Sequence, residues 1–115
     1  MTELNLTDEN GVRIDRVGAI LVAVDAGRGE EAVNRSLDEL ADLAKTNGFT
    51  VLARVTQRLE RIDGATFVGS GKLLEIAEEA RDKDAAYLIF DGALTPAQTR
   101  EIQAAVDLKI SDRVN

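Results

Sequence analysis

The stretch VGAILVAVD, Val17 to Asp25, is almost unbroken apolar sequence rich in β-branched side chains. A strand with one wet face alternates apolar and polar residues. A run without alternation must be covered on both faces, as a central strand of a parallel sheet is. Parallel strands need long crossovers, so helices must alternate with them. This one segment therefore predicts a layered α/β fold.

The rest of the chain supplies the alternation. EEAVNRSLDELADLAKTNG places Val33, Leu37, Leu40, Ala41 and Ala44 on one helical face, with Glu30 and Glu31 at the positive end and Asn47-Gly48 as a stop. Phe49 to Thr56 reads as a second strand, Arg58 to Ser70 as a loop, and Lys72 to Lys83 as a helix burying Leu73, Ile76, Ala77 and Ala80. AAYLIFDG is a third buried strand ending at Asp91, and TPAQTREIQAAV opens with a capping box of Thr95 and Gln98 around Pro96. LKIS is a short fourth strand. Right-handed crossovers then favour a small four-stranded parallel sheet of order 2-1-3-4 in a Rossmann-like three-layer arrangement. The first helix lies on one face and the others lie opposite, with Leu21, Val22, Val51, Ile89 and Phe90 in the core. Residues 1–16 are polar and weakly patterned and read as an N-terminal extension, leaving 17–115 as one domain.

Composition narrows the chemistry. The 115 residues contain no cysteine and no histidine, which removes disulfides, thiol catalysis, histidine bases and typical zinc sites. Aromatics are only 3%, so the core is aliphatic. No apolar run is long enough for a membrane span and no basic-then-apolar leader opens the chain, so a cytoplasmic protein without membrane association is expected. The formal net charge is −7. Residues 1–53 carry 5 basic and 10 acidic side chains and residues 73–115 carry 5 and 9, whereas 54–72 carry 4 and 2. The middle segment alone is net basic.

That segment contains GATFVGSGKLLE, which invites a phosphate-loop reading. Gly64 and Gly69 have the required spacing, but Ser70 stands where lysine is needed. Gly71-Lys72 has the lysine, but Thr66 precedes it in the glycine position and Leu73 follows in place of the magnesium-binding hydroxyl. Gly27 to Ala32, GRGEEA, fits a dinucleotide pattern, yet Glu30 and Glu31 would meet the pyrophosphate. Asp25 and Asp91 both close strands at the carboxyl edge and could share a metal, but a local structural role suits each better. No cofactor, metal or catalytic residue is therefore expected. The segment Arg58–Lys72 is a basic, glycine-containing loop of a length that compact domains keep for function. Its natural use is binding RNA phosphates, with Gln57, Arg58, Arg61, Gly69, Gly71 and Lys72 as candidate contacts. Solvated surface charge is the equally weighted alternative.

Two blocks of the chain resemble the N-terminal domain of HflX-type GTPases. The first is Thr56-Gln57-Arg58, Asp63, Thr66, Phe67-Val68-Gly69-Ser70-Gly71-Lys72 and Glu75; the second is Asp91, Leu94, Thr95-Pro96, Gln98 and Arg100, followed by Asp112-Arg113. Gly64 stands where that family more usually has proline. The resemblance implies a ribosome-associated protein that binds the large ribosomal subunit and its rRNA and separates the subunits of stalled ribosomes. It also implies that a helical segment and a GTP-binding domain follow, holding the GTP and Mg that this chain does not. The chain has no complete phosphate loop and no guanine-reading Asn-Lys-x-Asp. On this reading it is not itself an enzyme, although its parent is a GTPase, and it is either a truncated piece or a stand-alone homologue. Three functions stay open: a ribosome- and RNA-binding module, a regulatory module packing on the GTPase domain of its own chain, or an independent small nucleotide- or metal-using domain.

Overall fold

The computed structural model describes residues 3–7 and 13–113. Its elements are β1 (Glu3–Thr7), β2 (Arg13–Asp25), α1 (Glu30–Thr46), β3 (Phe49–Arg58), α2 (Ser70–Asp82), β4 (Tyr87–Phe90), α3 (Pro96–Ala105) and β5 (Lys109–Asp112). β2 pairs in parallel with β3 and β4, and β4 with β5. The four parallel strands thus lie in the order β3-β2-β4-β5, the 2-1-3-4 arrangement expected from the sequence.

Two apolar clusters make the layers. Ala19, Leu21 and Ala23 of β2 and Ile89 of β4 face α1, whose Val33, Leu37, Leu40, Ala41 and Ala44 are the five residues its periodicity selects. Ile20, Val22, Val24, Leu88 and Phe90 face the other way, against Leu73, Ile76 and Ala80 of α2 and Ile102 of α3. β2 is covered on both sides, with residues 19 to 23 fully buried. That is why its sequence does not alternate.

The structure departs from the sequence reading in several places. β2 begins at Arg13, and Glu3–Thr7 pairs antiparallel with its first part, where the sequence indicated only an extension. The remainder of that extension, and Val114-Asn115, lie outside the described residues. β3 runs on to Arg58, and α2 begins at Ser70 rather than Lys72. Val51 and Ala77 are only half-buried. For Val51 the reason is that β3 borders a single parallel neighbour, so its side chains meet less cover than those of β2. The β2–β3 register also shifts between Ala19 and Ile20, where Leu52 is passed over. Gly18 makes room for that residue: a Cβ there would lie 2.6 Å from Leu52 Cδ1.

Candidate functional site

β3 delivers the Thr56-Gln57-Arg58 segment to the carboxyl edge of the sheet, where α/β folds place their sites. The chain then crosses residues 59–69 without a helix or strand and enters α2 at Gly69. Long irregular segments need their backbone groups satisfied, and the signature residues do this. The Gln57 side-chain carbonyl accepts from Gly69 N–H at 2.8 Å, tying the two ends of the loop together. The Asp63 carboxylate accepts from Ala65 N–H at 2.8 Å and Thr66 N–H at 3.0 Å, and the Thr66 hydroxyl donates to the Val68 carbonyl at 2.7 Å. The backbone amides, that of Thr66 foremost and then that of Ala65, hold the Asp63 carboxyl below its usual pKa.

Asp63 and Phe67 also exchange both backbone hydrogen bonds at 3.0 Å, closing a tight turn. Phe67 sits at φ 67°, a left-handed conformation unfavourable for a bulky residue. It is held there because its ring is fully buried and meets Phe90 edge-on at 5.2 Å between centroids. Gly92 leaves the space, since a Cβ there would come within 3.1 Å of Phe67 Cζ. The second signature block braces the first. Gln98 is buried and donates from Nε2 to the Asp63 carbonyl at 2.8 Å, while its Oε1 accepts from Thr95 N–H at 2.9 Å. The expected capping box of Thr95 and Gln98 is present, with Pro96 in the first turn. Asp112, also buried, accepts from Leu94 N–H at 2.7 Å.

The candidate contacts divide on this frame. The Gln57 Oε1 and the Gly69 N–H are bonded to each other, which holds the loop closed. Arg58 and Arg61 are exposed and Lys72 is half-buried, and none makes an ion pair among the described residues. Gly71 is exposed with open space around it. The first turn of α2 has no side-chain cap and no acidic residue, leaving a positive helix end beside Lys72. The Gln57–Gly69 bond brings this helix end to Arg58; Arg61 is carried on the loop itself.

The other sequence candidates are engaged internally. Asp25 accepts from Gly27 N–H at 3.0 Å and Gly29 N–H at 3.1 Å, so the glycine turn offers those amides to a carboxylate rather than to a pyrophosphate. The Gly29 and Gly27 amides, with Arg58 nearby, lower the Asp25 pKa. Asp91 has a buried side chain whose Oδ1 accepts from Arg113 Nη1 at 2.8 Å. Its Oδ2 makes no hydrogen bond, but Arg28 Nη2 stands 4.0 Å away. Arg113 also donates to the Ser36 carbonyl at 3.1 Å and pairs with Glu39 at 3.1 Å. Among the described residues no group of three or more Asp, Glu, His or Cys is placed to hold a metal ion. The partners of Arg113 on α1 were not legible in the sequence, because they lie 74 and 77 positions away.

Fold and site together define a small doubly wound α/β domain whose distinguishing part is an internally braced basic loop at the carboxyl edge. The family described as GTP-binding GTPase N-terminal matches residues 34–115. GTPase HflX of Lacrimispora saccharolytica is 42% identical over 113 residues, covering 98% of this chain and 25% of that protein. GTPase HflX of Flavobacterium psychrophilum is 36% identical over 84% of this chain and 23% of its own length, and that of Escherichia coli 34% over 67% and 18%. The chain belongs to the family of HflX GTPase N-terminal domains. It spans a quarter or less of the length of these relatives.

Proposed function

We propose that this chain is the ribosome-binding N-terminal domain of an HflX-type GTPase, docking on the large ribosomal subunit through rRNA phosphates. In this reading GTP and Mg are bound and GTP is hydrolysed in another domain of the parent protein, which separates the subunits of stalled ribosomes in the cytoplasm. No helix among the described residues is long and apolar enough to cross a membrane. The observation that carries the reading is the loop itself. Arg58, Arg61 and Lys72 are free of ion pairs among the described residues, next to an uncapped helix N-terminus, in a chain of net charge −7. An acidic body repels RNA phosphates, so the phosphate contacts are confined to this patch.

Co-sedimentation with large subunits at low and moderate salt tests the proposal. The doubly substituted Arg58→Ala, Arg61→Ala chain and the Lys72→Ala chain should bind more weakly than the wild type, and the salt dependence should fall by about one unit of slope per lost phosphate contact. Equal binding by folded variants would remove the loop as the contact. The regulatory reading would then lead, and one feature bears on it: a groove of about 550 Å³ beside α1, lined on one side by Leu43 (48% exposed) and Phe49 and on the other by Asn47, Ser111, Asp112 and Arg113. Such a groove suits another domain packing on this one.

A further inference from the structure

The β2–α1 turn and the end of β3 enclose a cleft of about 350 Å³. That volume is at the small end of ligand sites, enough for one nucleoside and too little for a dinucleotide. Its wall carries two carboxylates, Asp25 and Glu30, and one cation, Arg58. Glu30 and Asn34 of α1 line one side, and Thr56, Gln57 and Arg58 of β3 line the other, with the buried Val33 also in contact. Asp25 Oδ1 accepts from both turn amides, and the carboxylate stands beside Arg58, its partner in the β2–β3 register. Glu30, Asn34 and Thr56 are exposed and make no side-chain hydrogen bond to protein among the described residues.

This distribution selects a ligand. A phosphate placed against Glu30 is repelled, so the α1 side needs a group that donates hydrogen bonds. Guanine has two adjacent donors, N1–H and the 2-amino group, which match the two oxygens of one carboxylate; adenine and cytosine present a single exocyclic amine there. The O6 acceptor of the same base can take a single hydrogen bond from the Asn34 amide NH2. Arg58 lies on β3, across the cleft from Glu30, for the nucleotide's phosphate. We propose that the cleft takes one unpaired guanosine of an RNA strand, its base on Glu30 and Asn34 and its phosphate on Arg58. The proposal rests on the RNA-binding reading above and names the nucleotide which that surface selects.

The test is fluorescence anisotropy of the full 115-residue chain with labelled pentaribonucleotides carrying a central guanosine, inosine or adenosine among uridines. Guanosine should bind roughly tenfold more tightly than adenosine, with inosine between them because it lacks the 2-amino group. Glu30→Gln should erase the preference. Glu30 is exposed in the first turn of α1, so this variant folds, and circular dichroism checks that it does. Arg58→Ala should weaken all three oligomers alike and lower the salt slope by about one unit. Equal binding of the three oligomers, or a guanosine preference that survives Glu30→Gln, overturns the proposal. The two readings fail separately: subunit co-sedimentation without base preference removes the guanosine cleft and leaves the ribosome-binding reading standing.

Discussion

Replacing Gln98 by methionine tests whether the signature residues act as a brace. Methionine has nearly the same volume and a good helix propensity, so the change removes two polar atoms and little else. Two hydrogen bonds go with them. Thr95 is exposed, so water takes over its N–H and the loss is that of half a capping box, about 0.5–1 kcal/mol. The Asp63 carbonyl keeps its bond from Phe67 N–H but loses the one from Gln98, a further loss of about 1 kcal/mol at a partly buried site. The sum of about 2 kcal/mol is a large share of the stability of a small domain and corresponds to a fall in melting temperature of roughly 8–12 °C. Calorimetry gives the midpoint, and hydrogen exchange at Ala65, Thr66 and Phe67 reports whether the loop has come loose. A melting temperature within about 2 °C of wild type, with unchanged exchange at those amides, would refute the argument that this side chain holds the loop.

Three more outcomes are expected. Ile89→Ala, at a residue 5% exposed between β4 and α1, should cost about 2–5 kcal/mol, and an unchanged urea midpoint would show that β4 is misplaced. The Asp63 carboxyl titrates below the ordinary aspartate value in the folded chain, so its contribution is present above that ordinary value and lost as pH falls through the lower folded one. The stability advantage of wild type over Asp63→Asn should accordingly be full near neutrality and shrink in acid; a gap that widened in acid would contradict the assigned hydrogen bonds. Isothermal titration with GTP should show no micromolar binding at the glycine loop, because Gly69 N–H is already held by Gln57 and the lysine register fails; a micromolar dissociation constant that Glu30→Gln leaves unchanged would return the independent nucleotide-binding reading.

Legibility in the sequence followed the range of the physics. The uninterrupted run of β2, the apolar face of α1 and the capping box of α3 depend on neighbours a few positions apart, and each was readable as a periodicity or a short motif. The failure of the phosphate loop was equally local, since it turns on which residue stands beside a glycine. The basic segment was visible as a count of charges, but its architecture was not. Gln98 reaches Asp63 across 35 positions, Gln57 reaches Gly69 across 12, and Arg113 reaches Ser36 across 77. Such pairs meet only because the parallel pairing puts the carboxyl ends of β3, β4 and β5 at the same end of the sheet. The crossovers that set this pairing make β3 less covered than β2 and leave Val51 half-buried, although the stretch Phe49–Ala53 around it is mostly apolar. They also set Glu30 and Arg58 on opposite walls of one cleft, 28 positions apart in a chain whose pattern does not link them. Local patterns determine which face of each element is buried. Which elements become neighbours, and so which polar groups meet, was decided by the packing of the sheet.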